Sequence, residues 1–330
     1  MDILIDEDIP VSLWEDLLKK NRHASPFQTR QYYSFFNSVK GFNATAIAVA
    51  DGDVLMALAV VTIQKGKGLA AFFTRRGIIY GGPLAEDDCP EALDMLLRKV
   101  SEQTDDRVIY TETRNLSDFS SLKDVFLNNG YTYNPWLNYR VDTRDMGLMK
   151  QRISSSRLRQ IKKAQQQSVT CQEAKNLEEV LLFYGMLKGL YKKRLHKPLP
   201  PEEFFIKFYE SKLGKYLLVW HDDKLIGGIM CPVLDGRVLY EYYICGQDDQ
   251  PGGLYPSVMA TWSAMEYACK NKIPLFDFMG AGQPAEQYGV RDFKARFGGE
   301  LVEYGRFLKI NMPFLYKIGK SSLKLMKQMG

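Results

Sequence analysis

Two stretches of the chain, one beginning at Ile47 and the other at Leu217, carry the same succession of apolar and polar positions. Ile47-Ala-Val-Ala-Asp-Gly-Asp-Val-Leu-Met-Ala-Leu58 and Leu217-Leu-Val-Trp-His-Asp-Asp-Lys-Leu-Ile-Gly-Gly228 each read as strand, polar turn, strand. A third strand is expected in each copy, over 69–74 and 238–245, after a glycine-containing turn. Next comes a helix with one apolar face, marked by Leu93, Leu96, Leu97 and Val100 in the first copy and by Val258, Trp262, Met265 and Cys269 in the second. Short buried strands are expected over 108–112 and 274–278. A helical stretch and a last strand then close each copy, over 117–129 and 131–141 in the first and 284–297 and 301–310 in the second. Ahead of the second hairpin, Asn176-Leu-Glu-Glu179 has the form of a capping box, and Leu177, Val180, Leu181, Tyr184, Leu187 and Tyr191 continue it as an apolar stripe.

Each half therefore reads helix–helix–strand–strand–strand–helix–strand–helix–strand, an order that resembles the GNAT N-acyltransferase fold. The fold class expected is α/β (α+β), with two GNAT-like domains in tandem, each a mixed sheet flanked by helices. The division expected is 1–145, 146–310 and a separate C-terminal helix over 311–330, with at most one helix between Asp145 and Ser168. A chain of 330 residues is long enough for two cores of that size without disulfide staples.

Composition narrows the chemistry. The five cysteines are far apart and form no CxxC pair, which fits a reducing compartment. Three histidines leave little material for a His-based zinc site or a Ser-His-Asp relay. The chain opens on acidic residues rather than a basic signal, and the longest apolar run, 54–63, is about half the length that crosses a bilayer. A cytoplasmic protein is the expectation. The net charge of +5 is unevenly spread: 150–163 holds six basic residues and no acid, and 311–330 holds Lys317, Lys320, Lys324 and Lys327, again with no acid. Each stretch reads either as a solvated helix face or as a contact for phosphate on nucleic acid or membrane.

A GNAT domain of the ordinary kind holds the acetyl-CoA pyrophosphate on a Q/R-x-x-G-x-G/A loop at a helix N-terminus. The matching place here reads Gln247-Asp-Asp-Gln250-Pro-Gly-Gly253-Leu-Tyr255, with Tyr255 where a second small residue is needed and two acids beside it. The corresponding loop of the first half, Gly81-Gly82-Pro83 through Glu86-Asp87-Asp88, is acidic as well. Neither half is built for CoA. The densest segment lies later: Leu275-Phe-Asp-Phe-Met-Gly-Ala-Gly-Gln283, then Tyr288-Gly-Val-Arg-Asp-Phe-Lys-Ala-Arg-Phe-Gly-Gly299. Gly280 and Gly282 allow close approach of backbone to a ligand. Arg291 and Lys294 are three apart on a helix and can point together into a cleft, or they are surface cations beside a buried Phe293–Phe297 pair.

The segment Phe276-Asp277-Phe278-Met-Gly280 with Gly289-Val-Arg-Asp-Phe293-Lys294-Ala-Arg-Phe297-Gly298-Gly299 resembles the C-terminal signature of the FemA/FemB/FemX (FemABX) aminoacyltransferases, which build peptidoglycan interpeptide bridges from aminoacyl-tRNA. Pro26-Phe-Gln28-Thr-Arg-Gln-Tyr32 resembles the family's early glutamine element, and Arg157-Leu-Arg159-Gln-Ile161-Lys-Lys163-Ala164 with Gln167-Ser-Val169 resembles its interdomain segment. The resemblance implies aminoacyl transfer without a covalent enzyme intermediate and without a cofactor. Lys294 would stabilise the oxyanion, and Phe293 would stack on the terminal adenine of a charged tRNA. Arg291, Asp277, Gly280, Gln283, Arg157 and Arg159 would complete substrate binding, with Arg157, Arg159, Lys162 and Lys163 on phosphates.

The partners implied are the aminoacyl-tRNA acceptor end and a lipid- or nucleotide-linked cell-envelope precursor. Two family features are missing: a lysine after the early glutamine, where Phe35-Phe36 stands, and a long antiparallel helical arm in the second half. Two other readings stay open, an acyl-CoA-dependent N-acyltransferase of the same fold and a non-catalytic module binding RNA or membrane. Lys294→Met is expected to behave as a surface substitution for stability, and Asp277 is either a structural or a catalytic carboxylate. The tail 312–330 forms a basic amphipathic helix, lying on a membrane or packed on the protein.

Overall fold

A computed structural model of the chain describes residues 1–66, 74–86, 89–195, 198–249 and 252–328, with 321–328 as backbone only. Two compact units emerge. One comprises Met1–Pro135 and Tyr304–Gly330, the other Trp136–Glu303. This division differs from the expected 1–145 and 146–310, and it assigns the last helix to the first unit.

The first unit contains an eight-stranded sheet in the order β1 (Asp2–Ile5), β2 (Phe42–Asp51), β3 (Val54–Gln64), β4 (Arg76–Gly81), β6 (Tyr110–Asn115), β16 (Arg306–Ile310), β7 (Thr132–Asn134), with β5 (Leu84–Ala85) paired to β3. The second repeats the plan: β15 (Glu300–Glu303), β8 (Leu137–Asp142), β14 (Leu275–Asp277), β12 (Val238–Tyr240), β11 (Lys224–Leu234), β10 (Gly214–His221), β9 (Thr170–Glu173), with β13 (Tyr243–Gly246) on β11. Each sheet has one parallel step, β4 beside β6 and β12 beside β14, and is otherwise antiparallel. Both sheets therefore carry the GNAT-like pattern that the repeat predicts.

The last strand of each copy differs from expectation. The run 131–141 is two strands: β7 stays in the first sheet and β8 joins the second. The run 301–310 divides the same way, β15 in the second sheet and β16 in the first. Pro135 lacks the N–H a ladder needs, and Gly305 turns at φ +62°. The third strand of the second copy splits into β12 and β13, leaving Glu241 and Tyr242 at the break. Its counterpart at 69–74 lies almost wholly outside the described residues, and the strand beside β3 is β4. Two helices, Met146–Arg152 and Ser155–Gln166, occupy the segment expected to hold one at most. The expected helix over 284–297 is confined to Gly289–Ala295.

Packing follows the periodicity. Helix Pro90–Thr104 buries Ala92, Leu93, Leu96, Leu97 and Val100 against Ile47, Val49, Ala57 and Val61 of the first sheet. Helix Pro256–Lys270 is buried along most of its length, including Val258, Trp262 and Met265, against Ile229, Cys231 and Phe276. Each such side chain contributes about 1.5–3 kcal/mol when fully buried, so the two helices are major terms in their units. Among the described residues no helix is long and apolar enough to cross a membrane.

Candidate active site

The residues singled out between 275 and 299 gather around the end of β14. Asp277 ends that strand, registered with Tyr240 of β12 on one side and Arg140 of β8 on the other. Its carboxylate is buried and spoken for. Oδ1 accepts from Asn138 Nδ2 at 2.8 Å and from Met279 N at 2.7 Å, and Oδ2 lies 3.8 Å from Arg140 Nε. Burial raises the Asp277 carboxyl above its ordinary pKa, against the opposing pull of these donors and cations.

Beyond Asp277 the chain makes a tight passage with three demands on backbone conformation within four residues. Met279 sits at φ +54°, Gly280 at +133° and Gly282 at +81°. A Cβ on Gly280 would come within 2.8 Å of Trp136 Nε1, and one on Gly282 within 2.8 Å of a Tyr288 ring carbon. Gly280 N donates to Asn138 Oδ1 at 2.7 Å, and Leu137 N donates to Gly282 O at 2.9 Å, so β8 anchors the loop.

Helix Gly289–Ala295 pins the same loop from its other side. Lys294 is buried at 7% exposure, and its Nζ donates to Phe278 O and Gly280 O, both at 2.8 Å. The third donor meets Glu241 Oε1 at 2.9 Å, in an ion pair whose two side chains are both buried. An ammonium has three N–H donors, and all three are thus engaged. Lys294 is therefore not the surface cation assumed for its methionine variant. Arg291 also serves the loop: Nε donates to Ala281 O at 3.0 Å, and the guanidinium nitrogens to Pro284 O and Gln283 O. Gln283 is exposed, and an open hollow beside it is lined by residues 284–289 with Arg291 and Asp292.

The basic segment divides into a buried and an exposed part. Ser154 caps helix Ser155–Gln166 by accepting from Arg157 N, and the helix turns Arg157, Ile161 and Ala164 inward. Arg157 is 3% exposed. Its guanidinium donates to Phe293 O at 3.0 Å and lies 4.5 Å and 4.7 Å over the rings of Phe293 and Phe297. Burial, with Arg296 adding to it, lowers its pKa to about 10. Arg157 braces Phe293 rather than offering itself to a phosphate, which corrects the sequence reading. Arg159, Lys162 and Lys163 are exposed.

The loop that would cradle a CoA pyrophosphate is occupied by its own carboxylate. Asp248 accepts from Ser257 N at 3.1 Å and from the Ser257 hydroxyl, at the N-terminus of helix Pro256–Lys270. The anion seat of that helix is filled from within the chain. The neighbouring Asp249 pairs with Arg194.

Sequence reading missed Glu241, Asn138 and Arg140. Glu241 could have been found as the one carboxylate inside an apolar run, Val238 to Cys245. Asn138 and Arg140 lie on a run that reads as the last strand of the first copy, so nothing in the sequence places them near Asp277.

Residues 235–322 match the model of the FemAB family, a span that contains Glu241, Asp277 and Lys294. By sequence alone no curated protein matches the chain. Among solved structures, FemX superposes with a TM-score of 0.73 at 13% identity, covering 96% of this chain and 99% of that one. The C-terminal domain of a putative lysylphosphatidylglycerol synthetase from Agrobacterium fabrum gives 0.61 at 11% identity, covering 95% of each. A tandem GNAT protein from the clavulanic acid biosynthesis pathway gives 0.58 at 9%, covering 94% of this chain and 99% of that one. At these identities the likeness is one of fold. The chain thus resembles the FemAB family, through a matched segment in the second half of its sequence and a fold of two tandem GNAT-like domains.

Proposed function

We propose that the protein is a cytoplasmic N-acyltransferase that moves an aminoacyl group from aminoacyl-tRNA to an amine of a cell-envelope precursor. The observation that carries this reading is the coincidence of the FemAB-matched segment with the buried Lys294 and its glycine loop. In such a reaction the acceptor amine attacks the ester carbonyl of the charged tRNA. The C–N bond forms, the C–O bond to the ribose breaks, and the proton that the amine loses is balanced by the one the ribose oxygen takes up as it leaves as a hydroxyl. A fixed ammonium in a water-poor site stabilises the negative charge that develops on the carbonyl oxygen, without reorganising solvent at that moment. Because all three Lys294 donors are engaged, the oxyanion must displace one of their acceptors, and the loop carbonyls of Phe278 and Gly280 are the neutral ones that can be exchanged. Phe293, half-buried and braced by Arg157, offers a ring for a terminal base, and Arg159, Lys162 and Lys163 offer charge to the phosphate backbone.

The acyl-CoA alternative is disfavoured by Asp248, whose carboxylate sits where the pyrophosphate would. Charged tRNA and acyl-CoA, each tested for a thermal shift and for transfer to an amine acceptor, decide between the donors. A shift and turnover with charged tRNA alone support the proposal. Micromolar CoA binding with acyl transfer overturns it.

A further inference from the structure

The last helix is not used by the proposed chemistry. Helix Pro313–Gln328 belongs to the first unit, and its start is fixed there. Asn311 N and Met312 N both donate to Ile109 O at 3.0 Å, and the Tyr316 ring meets Tyr110 edge-on at 5.6 Å. Leu315 and Tyr316 are half-buried on this side. Positions 314 and 318 are four apart and so share a face. Phe314 is 75% exposed, more than any other large apolar side chain among the described residues, and Ile318 is 37% exposed. Lys317 and Lys320 are exposed on the same two turns, and no acid occurs anywhere in 311–330.

We infer that this helix docks the protein on an anionic lipid surface, with Phe314 and Ile318 entering the interface and the lysines meeting the headgroups. The two halves of the tail's composition call for one occupant. A helix packing on its own protein buries its apolar residues, and here Tyr316 already does that while Phe314 is held outward. A protein partner matched to four lysines and no acid would need to be acidic, whereas an anionic bilayer supplies negative charge and an apolar layer together. The aromatic ring suits the boundary between headgroup and acyl chain, where its apolar body is buried at modest depth. The anchored first turn means that the Phe314 end of the face is preformed rather than ordered on contact.

The test is co-sedimentation of the full chain with vesicles of phosphatidylcholine alone and of phosphatidylcholine mixed with phosphatidylglycerol, at low and high salt. Binding is expected only to the anionic vesicles, and it should fall as salt rises. The paired change Lys317→Gln and Lys320→Gln should weaken partitioning about thirtyfold, at about 1 kcal/mol per lysine. Phe314→Asp should weaken it by roughly tenfold or more with an unchanged melting temperature, since the side chain it replaces is exposed. Failure of the full chain to bind anionic vesicles overturns the inference. So does a Phe314→Asp variant that binds as the parent does, or a Phe314-dependent dimer that forms in the absence of lipid. None of these outcomes bears on the donor, which the tRNA and CoA experiment decides separately.

Discussion

The two units share strand order and a single parallel step, yet they fill the break after the parallel strand in different ways. In the first unit, the chain leaves β4 through Gly81, Gly82 and Pro83. The buried amide of Gln28 closes that passage, with Nε2 donating to Gly82 O at 2.9 Å and Oε1 accepting from Ser25 N at 2.8 Å. Phe27 and Phe36 stack on Tyr80 beside it, at 5.5 Å and 5.7 Å. The charges of this unit lie on the neighbouring strands: Glu112 is shared by Arg114 and Arg306. Burial works against ionising Glu112, but the two guanidinium groups outweigh it and hold the carboxyl below its ordinary pKa. In the second unit the chain leaves β12 through Glu241, and what meets it is the ammonium of Lys294. One copy of the fold has closed its break with a neutral amide and aromatic packing. The other has closed it with a charge pair that also grips a glycine loop. A neutral plug gives stability alone, whereas a buried charge pair costs desolvation and keeps a cation fixed in place. This difference is the reason the proposed chemistry is placed in the second unit.

The most direct way to break that comparison is to remove the charge pair. Lys294→Met leaves the Glu241 carboxylate buried without its counter-charge, and Glu241→Ala leaves the buried Lys294 ammonium with only the two loop carbonyls. Each should cost about 3–5 kcal/mol in denaturant melts, the range for breaking one side of a buried pair. The double variant should cost less than the sum, because the second change removes a charge the first had stranded. Lys294→Met should also abolish the proposed aminoacyl transfer. A Lys294→Met variant that unfolds like the parent would show that the pair is not buried in solution, and one that turns over normally would remove Lys294 from the mechanism.

A smaller effect is expected in the first unit. Gln28→Ala leaves Gly82 O and the Ser25 backbone without their partners, at about 1–3 kcal/mol. The rate of transfer, measured well below the variant's melting temperature, should stay unchanged. Loss of rate with retained stability would mean that the first unit's plug is part of the site and that the contrast between the units is false.

The sequence made the repeat legible because apolar period and turn chemistry recur within short windows. It made Lys294, Arg291, Phe293 and Gly280 legible as a cluster for the same reason: they are close in the chain. What it hid depends on long separations. Arg157 reads as one more cation on a basic helix, and only the approach of Phe293 and Phe297 shows that it is buried. Asn138, which holds both Asp277 and Gly280, sits on a run that reads as the first unit's final strand. The exchange of β8 and β16 between sheets turns on Pro135 and Gly305, single residues in otherwise continuous strand patterns. Local pattern specifies that a strand exists, and the partner it pairs with is set by the sheet as a whole.

The pyrophosphate seat gives a third and weaker test. Asp248→Ala removes the exposed carboxylate that accepts from Ser257 in the first turn of helix Pro256–Lys270 and should cost about 0.5–1.5 kcal/mol, the usual net value of a hydrogen bond. It also vacates a helix N-terminus whose N–H groups favour anions. Calorimetry should detect pyrophosphate binding in the variant that is absent or far weaker in the parent. If the parent binds pyrophosphate as well as the variant does, Asp248 does not fill the seat, and the second unit is closer to an ordinary CoA-binding domain than its loop implies.

The smallest effect concerns Asp277, and it shows as a slope rather than a loss. Burial sets the carboxyl pKa above the unfolded value. A carboxyl with a raised folded pKa binds its proton more tightly in the native state, so the stability linked to it is complete below the unfolded pKa and is lost as the pH rises through the folded one. Asp277→Asn cannot titrate and keeps an oxygen for Asn138 Nδ2 and Met279 N, the two donors that define the turn. It gives up only the charge facing Arg140 and Lys294. Relative to the parent, the variant should therefore be least stable in acid and should recover as the pH approaches neutrality, in melts recorded from about pH 4 to 8. Transfer should persist, because the carboxylate faces the strands and the loop backbone. A variant whose stability relative to the parent falls toward neutral pH would mean that the ionised carboxylate is favoured, and that Arg140 and Lys294 outweigh burial. A variant of unchanged stability that has lost its rate would move Asp277 from the framework of the loop into the reaction itself.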